Sequence, residues 1–240
     1  MTPTTEEKIN EYVYPYHWAL RGFNKMKYER SVELLRPYLQ PDMVALDVGC
    51  GDACRTALLA QYVQKVIGIE NQKKPLEFAE IILRDMPVCE KIELREYDGK
   101  TPPFPEKMFD VITTFDVIEH LPISAVAPWL DTLHRLLKPG GLLLIVTPNP
   151  REIRGRIFGH TIADKHYKEY TPEELRALTA TAGFHTRALH GAYVPPPIPY
   201  IEHYANVFPM TQLFKLFIQG AKNIPNLSET VFFLVQKPVE

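Results

Sequence analysis

The sequence predicts an α/β domain built on a mostly parallel sheet with helices on both faces. Two observations carry this. From Val44 to Val146, short apolar runs alternate with helical segments, and parallel strands need such crossover connections. The first run, Val44-Ala45-Leu46-Asp47-Val48, passes directly into Gly49-Cys50-Gly51-Asp52 and then into helical Ala57-Leu58-Leu59-Ala60. Strand, glycine turn and helix in that order leave bare backbone at a strand's carboxyl end, where nucleotide-like ligands bind.

The remaining elements follow in order. Ile9, Tyr12, Val13, Tyr28, Val32, Leu34 and Leu35 give residues 6–38 a helical period, so residues 1–40 are expected to be helical. Gln64–Glu70 reads as a second strand ending in an acid. A third ends at Arg95–Gly99, a fourth ends just before Phe115, and a fifth follows the Lys138-Pro139-Gly140-Gly141 turn. Thr171-Pro172-Glu173-Glu174 starts a helix, with Thr as cap, Pro in the first turn and Glu174 completing a capping box. Gly183 ends it. Phe184–Leu189 is strand six and Glu229–Lys237 the last strand, with an insertion or lid over 190–228 between them.

The 240 residues, 45% of them hydrophobic, suit a single domain over 1–240 with a sizeable core. A net charge of −2 gives no basic excess, so no nucleic-acid partner is expected. Cys50, Cys54 and Cys89 are odd in number and scattered, which suits a reducing cytoplasm rather than a disulfide framework. The N-terminus lacks the apolar core of a signal peptide, and the longest apolar run is far below the ~20 residues of a membrane span. The expectation is a soluble cytoplasmic protein, with peripheral membrane contact left open. Nothing in the sequence fixes the oligomeric state.

The glycine turn suits two cofactor classes. A dinucleotide site wants a third glycine where Cys54 stands, and Asp47 would repel its pyrophosphate. An acid there suits a cationic ligand instead. The plain alternative is a strand-turn-helix with no ligand. Asp47-x-Gly49-x-Gly51 resembles motif I of the class I S-adenosylmethionine (SAM) methyltransferases. The segments Pro102–Ile112, Phe115–Pro122 and Leu136–Ile145 resemble further motifs of that family, in its order. The resemblance implies a Rossmann-like class I fold, seven-stranded with an antiparallel last strand, and residues 1–40 as a helical cap. It also implies SAM as cofactor, with S-adenosylhomocysteine as product.

On that resemblance Asp47, Gly49, Cys50 and Gly51 line the methionine part of SAM. Glu70, about 20 residues past the turn, takes the ribose diol with Asn71 beside it. Asp98 and Gly99 meet the adenine edge, and Phe115 sits near the transferred methyl. His120, after strand four, is the first candidate base, with helix-start packing as the alternative. His166, after strand five, is the second, with loop anchoring as the alternative. Asp116, Glu119, His120 and His166 also match the metal ligands of small-RNA 3′-terminal ribose methyltransferases, although the first is Asp rather than Glu. A divalent metal at that set is the less favoured version. The aromatic residues Tyr12, Tyr14, Tyr16, His17 and Trp18 read as a buried helix face or part of a lid.

The expected reaction is O-methylation of a small molecule, a sugar or a lipid-linked intermediate. N- and C-methylation stay open, because positioning alone can serve a good nucleophile. The rivals are a nicotinamide oxidoreductase and a non-catalytic SAM-binding module that regulates a partner.

Overall fold

A computed structural model describes residues 14–198, 201–207 and 209–239. Ile9, Tyr12 and Val13 of the expected cap lie outside the described residues. The cap that is described consists of a single turn, α1 (Tyr16–Ala19), and a longer helix, α2 (Gly22–Leu35).

The sheet has seven strands: β1 (Val44–Val48), β2 (Lys65–Glu70), β3 (Ile92–Glu96), β4 (Phe109–Phe115), β5 (Leu137–Pro148), β6 (His185–Tyr193) and β7 (Thr230–Gln236). Their order is β3-β2-β1-β4-β5-β7-β6. All pairs from β3 to β5 are parallel, and β7 runs antiparallel to both neighbours. This is the Rossmann-like class I methyltransferase architecture. The order reverses between β1 and β4, so a crevice opens at their carboxyl ends.

The crossovers are α3 (Cys54–Leu59), α4 (Lys73–Leu83) and α5 (Ile123–Leu136). After β5 come the short α6 (Ile153–Phe158) and then α7 (Pro172–Thr181), with α8 (Met210–Ala221) in the insertion. The central strands are apolar on both faces. Val111, Leu144 and Val146 face a cluster with Leu35 and Leu59, while Ile112, Leu143 and Ile145 face one with Trp129 and Leu133. That is why β1, β4 and β5 read as continuous apolar runs rather than as alternating ones.

The expected capping box is present. Glu174 N–H donates to Thr171 Oγ1 at 3.2 Å, and Glu174 Oε2 accepts from Thr171 N–H at 2.9 Å. Strand six, however, runs to Tyr193 rather than stopping at Leu189. Its last residues pair with the start of β7, and Ser228 Oγ accepts from Tyr193 N–H and donates to Tyr193 O. The pairing partner is 37 residues away in sequence, so a local pattern underestimates the strand.

Candidate active site

The glycine turn is tied to the end of β2. Ile69 O accepts from the N–H groups of Gly49 (2.8 Å) and Cys50 (3.0 Å). Gly49 has a φ of +72°, and a Cβ there would lie 2.6 Å from Val117 Cγ2. Only glycine fits both the angle and the contact with the loop after β4. Cys50 is buried and unbridged, a packing residue of the turn.

Asp47 is buried beneath the turn. Its two oxygens accept from Thr56 Oγ1 (2.6 Å) and Thr113 Oγ1 (2.9 Å). Burial pushes its carboxyl up to about 6, against the pull of both hydroxyls. Glu70 accepts three backbone N–H bonds, from Gly51 (2.9 Å), Asn71 (2.9 Å) and Gln72 (3.0 Å). Burial nevertheless raises its carboxyl above the usual range. A carboxylate offers about four lone-pair sites, so Glu70 keeps one for a ligand. Gly99 (φ +74°) abuts Asn71, bringing together the loops after β2 and β3. Asp98 is exposed and accepts from the N–H groups of Lys100 and Thr101 through one oxygen, which lowers its carboxyl.

Two groups at the turn were not singled out from the sequence. Asp52 is buried and takes the α1 segment: its carboxylate accepts from His17 N–H (3.3 Å) and lies 2.9 Å from His17 Nδ1, while its carbonyl accepts from Trp18 Nε1 (2.8 Å). His17 also stacks on Tyr28. Arg55 lies against the Tyr28 and Phe115 rings, at 3.9 and 4.8 Å, and pairs with Asp116 at 2.8 Å. Asp116 itself holds a φ of +57°, strain of the kind that gathers at functional loops. Tyr16, Tyr28, Arg55, Asp116 and Val146 line a cleft of about 330 Å³ beneath α1 and α2. Spacing alone gave no sign of Arg55, because its partners come from α2 and β4.

The two histidines meet. Their ring centroids are 4.8 Å apart and near perpendicular. His120 Nδ1 lies 3.2 Å from Lys165 O, and partial burial lowers its imidazole below the ordinary value. Glu119 is fully buried beside them. Its Oε2 accepts from Thr147 Oγ1 at 2.9 Å, its Oε1 has no hydrogen-bond partner among the described residues, and burial pushes its carboxyl up to about 8. Glu119, His120 and His166 each offer one ligand atom within 4.8 Å of the others. Asp116, the fourth residue of the expected metal set, is held by Arg55 instead. The histidine pair is not part of the lining of the 330 Å³ cleft; Asp116 stands between the two regions, in the cleft wall and in electrostatic reach of Glu119 and His120.

A methyltransferase-domain family matches residues 20–189, well over half of the chain. The chain belongs to the class I SAM-dependent methyltransferases. It is 29% identical over 164 residues to a ubiquinone biosynthesis O-methyltransferase of Aeromonas salmonicida, covering 63% of this chain and 66% of that protein. It is 31% identical over 153 residues to a demethylmenaquinone methyltransferase of Lysinibacillus sphaericus, covering 55% and 61%. The chain thus spans about half to two thirds of the curated relatives it matches. A SAM-dependent methyltransferase structure from Mesorhizobium loti superposes with a TM-score of 0.61 at 14% identity, over 88% of this chain and all of that one, which bears on the fold alone. The cofactor of the family is SAM, as the glycine turn implied. Among the described residues no helix is long and apolar enough to cross a membrane.

Proposed function

We propose that this methyltransferase carries the methyl of SAM to a hydroxyl oxygen of a small molecule, a sugar or a lipid-linked intermediate in the cytoplasm. The observation that carries the reading is the meeting of His120 and His166 beside buried Glu119, at the carboxyl ends of β4 and β5. The oxygen attacks the methyl carbon, the carbon–sulfur bond breaks toward sulfur, and S-adenosylhomocysteine leaves. The hydroxyl proton passes to an imidazole and then to solvent. His120 suits the base, because its lowered pKa keeps it neutral and its Nδ1–H faces the Lys165 carbonyl, leaving Nε2 able to accept.

In this reading Asp47, Gly49, Cys50 and Gly51 hold the methionine end of SAM, and Phe115 lies near the methyl. Glu70 offers its remaining lone pair to the ribose with Asn71 alongside. Asp98 and Gly99 receive the adenine edge. Residues 1–40 serve as the cap, and the insertion between β6 and β7 serves as the lid. The quinones in the relatives' names favour an acceptor of modest size over a macromolecule.

A metal-assisted version rests on Glu119, His120 and His166. One carboxylate and two imidazoles suit a divalent ion of the manganese-to-zinc series, which would lower the pKa of an acceptor hydroxyl. The deciding experiment incubates the protein with methyl-labelled SAM and an acceptor panel of a catechol, a hydroquinone and a hexose. It follows labelled product with and without a chelator. Label in an ether product supports O-transfer, and chelator-sensitive turnover restored by Mn²⁺ selects the metal version. No label above the level without protein would overturn the reading.

A further inference from the structure

Glu169 is buried at the end of the loop that follows α6, and three contacts converge on it. Its Oε1 lies 2.7 Å from His166 Nδ1 and 3.5 Å from Ala163 N, and its Oε2 lies 2.8 Å from His160 Nε2. The same loop is pinned to the turn after β4, where Glu119 O accepts from Tyr167 N–H at 2.8 Å. A carboxylate can only accept, so the imidazole nitrogen facing it must carry a proton. The neutral His166 ring then has its lone pair on Nε2. Lys165 O imposes the same tautomer on His120 through Nδ1. Among the described residues, these acceptors are the contacts that set which nitrogen of each ring is protonated.

We propose that Glu169 is a positioning residue for methyl transfer, holding His166 as the Nδ1–H tautomer so that its Nε2 lone pair is available in the cluster with His120 and Glu119. The inference rests on the acceptor hydroxyl being handled at that cluster. Its loss should reduce turnover by about 10- to 100-fold, the usual effect of removing a partner that orients a functional histidine, while leaving SAM affinity unchanged. The 2.8 Å approach of His160 Nε2 to Oε2 is a loop contact that plays no part in the tautomer of His166.

The test is proton–nitrogen correlation spectroscopy of ¹⁵N-histidine-labelled full-length protein at pH 8, with His166 assigned from the His166→Asn spectrum. Wild type should show His166 protonated on Nδ1. Glu169→Gln keeps an accepting oxygen and should keep both that signature and turnover within about fivefold. Glu169→Leu should move the proton to Nε2 and lower kcat with the KM for SAM unchanged. His160→Ala should leave the His166 tautomer as in wild type. An Nε2–H signature in wild type, or an Nδ1–H signature that survives Glu169→Leu, would overturn the proposal. Equal loss of turnover in His160→Ala and Glu169→Leu would also overturn it, by reducing Glu169 to a loop staple. The tautomer is read without any acceptor present. A protein with the expected spectra but no methyl transfer to any acceptor therefore refutes the functional reading and leaves the positioning geometry standing.

Discussion

On the proposed reading, the acid set for the ribose and the acids of the acceptor cluster are held by different materials. At the cofactor side, Glu70 is held by three backbone N–H groups, two of them from the next two residues. At the acceptor side, Glu119 and Glu169 are held or met by side chains, from Thr147, His160 and His166. Backbone grips follow from chain geometry and leave little freedom. Side-chain grips depend on which rotamer and which tautomer each partner adopts. On that reading, a backbone-held ribose acid beside side-chain-held acceptor acids suits a family that keeps one methyl donor and varies the acceptor, since sites are grafted on folds rather than dictated by them.

The sharpest way to break the cofactor side is at the turn itself. Gly49→Ala must place a Cβ at a φ of +72° and 2.6 Å from Val117 Cγ2. The left-handed angle costs about 1–2 kcal/mol and the overpacking about 1–3 kcal/mol more. The expected result is a lowered melting temperature and no measurable SAM binding by calorimetry. Wild-type affinity in this variant would show that the turn is not the cradle.

On the acceptor side, His120→Ala should keep SAM affinity and lose turnover by about 10²-fold or more. If both fall together, His120 belongs to the cofactor half and the contrast between the two sides dissolves.

That contrast also explains what the sequence made legible. Asp47, Gly49, Gly51 and Glu70 are set by spacing along consecutive strand-turn-helix units, so their gathering at one turn was legible in the sequence. His120 and His166 were legible as types at strand ends, and they do meet. Glu169 was not, because its partner His160 lies on an irregular loop with no period to read. Arg55 was missed for the same reason in another form. It sits on a helical pattern, yet its contacts are Tyr28 of α2 and Phe115 and Asp116 at the end of β4, two segments far away in sequence. The extra length of β6 was hidden because β7 supplies its pairing.

Glu70→Ala should weaken SAM binding by about 1–3 kcal/mol, roughly 5- to 150-fold, the cost of leaving ribose hydroxyls without a charged acceptor. It also frees the Gly51 N–H, so part of the loss should appear as a lower melting temperature. A variant that melts early but binds SAM normally would assign Glu70 to the turn alone.

Buried acids on the two sides should separate by pH. The folded-state pKa of Asp47 is about 6, above its ordinary 3.8. Between those values the folded state binds more protons than the unfolded chain, so stability falls as pH rises through that window. Glu119, at about 8 against an ordinary 4.5, acts with the same sign and extends the fall to higher pH. Melting curves from pH 4 to 9 should therefore slope downward in wild type. Asp47→Asn should flatten the lower part, and Glu119→Gln should flatten the part between pH 6 and 8. A slope unchanged in both variants would mean that neither acid is buried in its neutral form.

The smallest expected effect is at Asp98, and it sharpens the comparison within the cofactor side. Asp98 is exposed, and its carboxyl is lowered chiefly by the N–H groups of Lys100 and Thr101. Those bonds form in water, where replacing one partner by solvent costs little. A neutral adenine amine is also a weaker donor to a carboxylate than a ribose hydroxyl beside a buried acid. Asp98→Asn should therefore change SAM affinity by no more than about fivefold, well short of Glu70→Ala measured in the same titration. The order matters more than either value. If Asp98→Asn is the more damaging, adenine rather than ribose anchors the cofactor, and the buried grip on Glu70 serves the turn instead of the ligand.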